Sequence, residues 1–355
     1  MRVELREVAL TLRRPVMTGR GPIARREGLL VRIHDHDVSG WGEALPLPGW
    51  PGADLAATRR ALQAWAADPH PEALPTERFA RGAVELALLD VEARRRTLTQ
   101  AEVLADGGPV ASSVALNALV QGPEDAAAAV ARGYRTVKLK VGASPPEEDV
   151  ATVAAVRAAI GEAAKLRLDA NGAWTAEHAV TVLAQLEPHG VDYVEEPVAG
   201  LEALAEVAER SPVPVAADES LKDADTEVPE VIAVLVIKPM ALGGPRTAHG
   251  AACRWIERGH RVVVTNFFDS AVGQHAALST AAALPGPPEV HGAITPDLFT
   301  HDLAPLPPIA SGHCPLPPHS PTPTISAPGE LGDRWPTIGV GRQITSEDVA
   351  KVDPW

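Results

Sequence analysis

Lys138 and Lys140 stand on either side of Leu139 inside a short apolar run, Thr136 to Val141. Side chains alternate along a strand, so both ammonium groups would leave one face. Two ammonium groups that close repel, and the repulsion lowers the pKa of one, fitting it to act as a base near neutral pH. The plainer alternative is a solvated lysine pair on an exposed strand. Three carboxylates follow, each closing an apolar run: Asp169 before Ala170-Asn171, Glu195 before Glu196-Pro197, and Asp218 before Glu219-Ser220. Any one alone reads as a helix N-cap or loop acid. Three in succession point to a shared set of hard oxygen ligands, which suits Mg²⁺. No histidine or cysteine shares these positions, which argues against zinc. Lys238 closes a further apolar run, Val234 to Ile237. Alone it could be a lysine snorkelling at a rim. Together these groups suggest removal of a proton beside a carboxylate: a lysine takes the proton, and a metal stabilises the charge that builds on the carboxylate oxygens.

Elements must bring these residues together. From Ser113 onward, short apolar runs alternate with alanine-rich helical stretches, the texture of parallel β/α units. Strands are expected at Ser113 to Ala118, Thr136 to Val141, Leu166 to Asp169, Tyr193 to Glu195, Val213 to Ala217, Val234 to Lys238, Arg261 to Thr265 and near His291 to Ile294. Their spacing of roughly 20 to 30 residues fits a β/α barrel of about 250 residues, whose active sites draw on strand ends. An open doubly wound sheet fits less well, because no Gly-rich dinucleotide loop follows the first strand. In an eight-stranded barrel, strands two and six lie opposite each other. Lys140 and Lys238 would then face each other across a substrate, with the carboxylates on the wall between them.

Residues 1–105 read as a smaller α+β domain. Val3 to Leu12 and Leu29 to His34 alternate like strands, and turn signals follow at Gly40 and at Pro46 to Gly52. Asp54 to Ala67 and Thr76 to Arg96 have helical spacing, with Thr76 as the expected N-cap. Residues 106–300 hold the barrel. In 301–355, proline is dense from Pro305 to Pro323, which suggests a partly flexible surface segment. Ile338, Val340, Ile344 and Val349, within Trp335 to Trp355, suggest a tail that packs back on the first domain.

The chain of 355 residues is 45% hydrophobic and 22% charged, enough to bury a large core. Its formal net charge of −14, with no basic stripe, argues against nucleic-acid and anionic-membrane partners. Cys253 and Cys314 are too few for a disulfide framework, which fits a reducing cytoplasm. Met1 to Leu12 lacks the pattern of a signal peptide. The longest apolar run, Val231 to Ile237, is far short of the roughly 20 residues that span a bilayer. A small-molecule carboxylate is the expected partner, and no pattern sets an oligomeric state.

In order and strand spacing, the segments around Lys138-Lys140, Asp169-Asn171, Glu195-Pro197, Ala217-Ser220 and Ile237-Pro239 resemble the enolase superfamily, in particular its muconate-lactonising subgroup. The resemblance implies a (β/α)7β barrel with an N-terminal α+β capping domain. It implies that Lys140 is the base and Lys138 its pKa-setting neighbour, with Lys238 the opposing lysine. Asp169, Glu195 and Asp218 are implied as Mg²⁺ ligands, although a swap with Glu196 or Glu219 stays open. Within the subgroup, Gly40-Trp41-Gly42-Glu43-Ala44-Leu45-Pro46-Leu47-Pro48-Gly49, Arg167-Leu168-Asp169-Ala170-Asn171 and Ile237-Lys238-Pro239-Met240 resemble the o-succinylbenzoate synthase family. The first of these reads as a turn-rich cap loop, or as no more than a hairpin. That family dehydrates 2-succinyl-6-hydroxy-2,4-cyclohexadiene-1-carboxylate.

For the succinyl arm, the resemblance points to Arg20 in the cap loop and to Ser270, for which a helix N-cap is an equal alternative. Arg167 and Asn171 share the face of Asp169, so both are candidates for polar contact with substrate or for support of the metal ligand. The same lysine pair would serve racemisation of N-acylamino acids or epimerisation of dipeptides. Muconate cycloisomerisation, a Schiff-base aldolase and a noncatalytic barrel are the remaining alternatives.

Overall fold

A computed structural model describes residues 1–18 and 21–324. Arg20 and the tail from Trp335 to Trp355 lie outside the described residues. Three antiparallel strands open the chain in meander order: β1 (Arg2–Thr18), β2 (Gly21–Asp35) and β3 (Val38–Ala44). Two helices follow, α1 (Leu55–Ala67) and α2 (Arg78–Arg96). Asp54 caps α1 by accepting from Ala56 N and Ala57 N. The cap of α2 is Glu77, one residue beyond the expected Thr76, because its carboxylate reaches Phe79 N and Ala80 N.

Along β2 the sheet is apolar on both faces. Leu29, Val31 and Ile33 pack against Leu62, Phe79, Ala83 and Ala87 of the helices. Leu30 faces the other way, with Leu86, Met240, Val272 and Phe299. Gly40 and Gly42 belong to strand β3 and not to a loop, so only Leu45 to Gly52 keeps the turn-rich character expected of that motif. A Cβ on Gly42 would sit 1.9 Å from Ala83 O, and one on Gly40 would sit 2.2 Å from Ala87 O. These two glycines let helix backbone lie directly on strand backbone.

After α3 (Gln100–Ala105), the barrel strands run β4 (Ser113–Leu116), β5 (Ala118–Val120), β6 (Thr136–Lys140), β7 (Lys165–Asp169), β8 (Val191–Glu195), β9 (Val215–Ala217), β10 (Val234–Ile237), β11 (Arg261–Val264) and β12 (Val290–His291). Strands β5 to β11 form one parallel sheet in sequence order. β4 and β5 are halves of one extended run broken at Asn117. β12 pairs in parallel with β4, and a bridge from Thr265 to Gly292 joins it to the end of β11, so the ring closes. This is a (β/α)7β barrel architecture.

Helices α4 (Pro123–Ala131), α5 (Pro146–Ile160), α6 (Ala176–Leu186), α7 (Leu201–Arg210), α8 (Pro245–Glu257) and α9 (Ala271–Ala283) surround the ring. Val137, Leu139, Leu166, Leu168, Leu235 and Ile237 point outward to these helices and form the main core. Their strand neighbours point inward, where Tyr193, Ala216, Val234, Val236 and Val263 fill the barrel's middle. The period-two alternation thus sorts apolar packing outward and the chemistry-bearing side chains inward.

The proline-rich segment makes defined contacts with the barrel and with α2 up to Ser320. Its short strand β13 (His313–Pro315) pairs antiparallel with β4, and Cys314 is fully buried. Ser320 contacts Asp90 and Arg94 of α2. A groove of about 490 Å³ beside it is lined by prolines, Leu306, Leu316 and His275, away from the strand-end carboxylates. No described helix is long and apolar enough to cross a membrane.

Candidate active site

The C-terminal ends of β6 to β10 bring the lysines and carboxylates together. Lys138 Nζ donates to Glu195 Oε1 at 2.8 Å and lies 2.9 Å from Asp169 Oδ2. Glu195 Oε2 is also 2.8 Å from that ammonium as an ion pair, and it is buried without a hydrogen bond. Lys140 extends further into the mouth, with 44% of its side chain exposed against 15% for Lys138. Its Nζ donates to Asn171 Oδ1 at 2.9 Å and stands 4.0 Å from Asp169 Oδ2. Across the mouth, Lys238 pairs with Asp218 Oδ1.

The electrostatics depart from what a lysine pair alone implies. Burial works to lower the pKa of Lys138, but Asp169, Glu195 and Asp218 outweigh it and hold the group well above the usual lysine value. Repulsion therefore does not depress Lys138. Lys238 is raised in the same way: burial opposes, and Asp218, Glu219 and Glu195 prevail. Burial pushes Glu195 up to about 8, with Lys138 opposing and Asp169 and Asp218 adding to the rise. Burial and then Glu219 push Asp218 up to about 6 despite Lys238. Asp169 moves the other way, because Lys138 and Lys140 overcome its burial.

Glu196 and Glu219 do different work from their neighbours in sequence. Glu196 has φ 43° and turns away from the strand direction, where it accepts from Asp218 N at 2.8 Å and from Ser220 Oγ. Burial pushes it up to about 7. Glu219 Oε1 accepts from Asn171 Nδ2 at 3.1 Å. Asn171, at φ 46°, therefore bridges Lys140 and Glu219.

Among the described residues, no three acidic, histidine or cysteine side chains stand in a constellation shaped to hold a metal ion. Lys138 and Lys238 lie against the carboxylates instead. The donor chemistry nevertheless fits a hard divalent cation. Three buried carboxylates share one mouth, Oε2 of Glu195 makes no hydrogen bond, and burial pushes Glu195 and Asp218 upward.

Two expected substrate contacts are used elsewhere. Arg167 does share the inward face of Asp169, but it stands two positions earlier on the strand and its side chain lies at the opposite end of the barrel. There it is fully buried, donating to Asp192 Oδ2 at 3.0 Å, Glu289 Oε2 at 3.2 Å and Val290 O at 2.6 Å. Ser270 caps α9, accepting from Val272 N at 3.1 Å and donating to Glu43 Oε2. Its hydroxyl is thereby committed to the fold.

Sequence reading missed the groups that join cap to barrel. Glu43 Oε1 accepts from Ser270 N at 3.0 Å and Gly273 N at 3.1 Å, so a cap acid sits at the start of a barrel helix. Burial raises its pKa well above the usual range, and nearby Asp269 adds to the rise. Arg26 donates to Pro46 O and Leu45 O in the cap and to Phe267 O and Phe268 O in the barrel. Trp50 places its ring centroid 5.1 Å from Lys238 Nζ. The separation in sequence hid these pairs, and only the turn signals of Pro46 to Gly52 marked the loop that carries Trp50.

Comparison with known proteins adds to this geometry. Residues 123–321 match the family model described as enolase C-terminal domain-like, and residues 2–80 match the MenC N-terminal domain. An o-succinylbenzoate synthase of Thermobifida fusca (strain YX) is 35% identical over 299 residues, covering 81% of this chain and 80% of the relative. The L-Ala-D/L-Glu epimerase of Bacillus subtilis (strain 168) is 30% identical, over 62% of this chain and 67% of the relative. A substrate-liganded structure of the Bacillus subtilis epimerase is similar at a TM-score of 0.79 and 25% identity, covering 91% of this chain and 97% of that one. The muconate lactonizing enzyme from Pseudomonas fluorescens, with muconolactone, shares the fold at a TM-score of 0.77 and 22% identity, over 90% and 94% of the two chains.

Proposed function

The chain belongs to the enolase superfamily, and from that premise we propose that it dehydrates 2-succinyl-6-hydroxy-2,4-cyclohexadiene-1-carboxylate to o-succinylbenzoate, as a cytoplasmic step of menaquinone biosynthesis. One observation carries the reading: on one wall of the mouth Lys138 and Lys140 stand 2.9 and 4.0 Å from Asp169, and on the other Lys238 pairs with Asp218. The 35% identity to the Thermobifida fusca synthase supports the choice of substrate. The same reading divides the chain into a cap (1–105), a barrel (106–300) and a C-terminal segment (301–355).

Lys140 is the base, being the lysine that projects furthest into the mouth. It breaks the C–H bond beside the ring carboxylate and takes the proton. The same ammonium then returns a proton to the departing hydroxyl on that face, so the C–O bond breaks, the ring gains its last double bond and water leaves. Asn171 holds Nζ of Lys140 in position between these two transfers. Lys138 stays charged against Asp169 and Glu195. Lys238 presents a fixed positive charge from the far side, where it favours the anion that forms in the ring. Asp169, Glu195 and Asp218 would hold Mg²⁺, which when bound supplies Lewis-acid stabilisation of the substrate carboxylate.

The test is chelator-sensitive consumption of the diene acid by purified protein, followed by loss of diene absorbance with the product identified by mass. Conversion that requires Lys140 supports the reading, and a folded, Mg²⁺-supplemented protein that leaves the substrate intact rejects it. The opposed placement of Lys238 favours a second activity, epimerisation of dipeptides or acylamino acids. Exchange of the α-proton with solvent deuterium, with inversion, is its signature.

A further inference from the structure

Two loops meet beside Lys238, and one guanidinium joins them. Arg78, the first residue of α2, is half-buried. Its Nη2 donates to Pro51 O in the cap loop, and its Nη1 donates to Lys222 O in a barrel loop at 2.5 Å. Pro51 follows Trp50, whose ring faces Lys238 Nζ. Lys222 follows the turn closed by Leu221 N to Asp218 O at 3.0 Å, and Asp218 is the carboxylate paired with Lys238. The first bond thus ends one residue from Trp50 and the second four residues from Asp218, the two groups set against Lys238.

An aromatic chain runs parallel to this strap. The Arg78 guanidinium stands 5.2 Å from the Phe79 ring centroid. Phe79 stacks on Phe267 at 6.1 Å, and Phe267 meets Trp50 edge-on at 4.8 Å. A planar fork that donates in two directions can span both carbonyls, whereas the single ammonium of a lysine cannot reproduce that geometry.

We propose that Arg78 is a positioning residue, which fastens the cap loop Trp50–Gly52 to the barrel loop Asp218–Lys222 and so keeps the Trp50 indole against Lys238. This rests on the reading of Lys238 as part of the active site. The strap contributes through Trp50 and not by touching substrate.

Tryptophan emission tests it without any substrate. The difference between the protein and its Trp50→Phe variant isolates the emission of Trp50, and the same difference is taken in Arg78→Ala and Arg78→Lys backgrounds. The strap predicts a red-shifted Trp50 signal in both backgrounds, as the indole leaves its packed site. With the diene acid, kcat falls about tenfold in both variants while KM stays within about twofold, in line with the cost of small misplacements near the chemistry. Adding Trp50→Phe to Arg78→Ala costs less than the product of the two single effects, because both act on one contact.

Unchanged Trp50 emission in Arg78→Ala overturns the proposal, as does full recovery of kcat by Arg78→Lys, which would assign the effect to charge alone. A wild-type protein inert toward the diene acid, with Trp50 displaced on loss of Arg78, rejects the substrate and supports the strap. An active wild type with Trp50 undisturbed does the reverse.

Discussion

At one end of the barrel Lys138, Lys140 and Lys238 face Asp169, Glu195 and Asp218; at the other, Arg167 and Arg261 face Asp192 and Glu289. The two sets meet on strands β7 and β8, which carry Arg167 with Asp169 and Asp192 with Glu195, and Tyr193 lies between them, 4.8 Å from the Arg167 guanidinium and 5.8 Å from that of Arg261. Their electrostatic states differ. At the floor, burial is overcome by the guanidinium bonds, and both Asp192 and Glu289 sit below the usual carboxylate range. At the mouth, burial wins at Glu195 and Asp218. The floor is a satisfied network that closes the barrel, whereas the mouth holds unspent charge suited to a cation and a substrate.

Perturbing each end should separate the two roles. The largest effect is expected from Lys140→Ala, with a fall in kcat of about a thousandfold or more, the scale of a lost general base, and no change in melting temperature. Steady-state rates beside a thermal melt check it, and a parallel loss of stability would contradict the division. Arg167→Leu should do the opposite. It removes one of two guanidinium partners from half-buried Asp192 and Glu289, which keep Arg261, and leaves Val290 O without its donor, so it should cost about 1–3 kcal/mol in denaturant unfolding. A rate loss in folded Arg167→Leu as large as that of Lys140→Ala would erase the distinction.

Glu195→Gln sharpens the contrast at the mouth. Replacing a carboxyl pushed up to about 8 with a neutral isostere should leave the melting temperature equal or higher, while Mg²⁺ binding measured by calorimetry weakens at least tenfold. The smallest effect concerns His291 at the floor. Burial, then Arg167, depresses its pKa to about 4, and its Nδ1 accepts from Val264 N at 3.0 Å. The folded value lies below the unfolded one of about 6.5. Its contribution is therefore complete above pH 6.5 and is lost as pH falls toward 4. Urea midpoints across that window should slope less in His291→Gln than in the wild type, and equal slopes would remove His291 from the network.

Much of the mouth was legible because one local signal repeats there: an apolar run ended by a charge. Asp169, Glu195, Asp218 and Lys238 all carry it, and barrel strand ends converge by geometry. The floor carries no such signal. Arg167 is two residues from Asp169 on the same face, and a face says nothing about which end of a strand a long side chain follows. The partners that decide its place, Asp192 and Glu289, are distant in sequence. Ser270 was ambiguous for a similar reason, since a helix cap and a ligand contact look alike until Glu43, 227 residues away, is seen on its hydroxyl. Within the proline run the short strand His313 to Pro315 was not legible, because proline argues against regular structure without excluding an edge pairing such as that with β4.

The contact of Glu43 with Ser270 and Gly273 bears on how relatives of this chain can be recombined. A Cβ at Gly273 would meet Glu43 Oε1 at 2.4 Å, so the acid on one part and the glycine on the other form a matched key. A chimera that takes its first strands from one homologue and its barrel from another inherits a working junction only when all three positions travel as a set. Shuffling libraries should accordingly place their crossovers so that this triplet is never divided between parents.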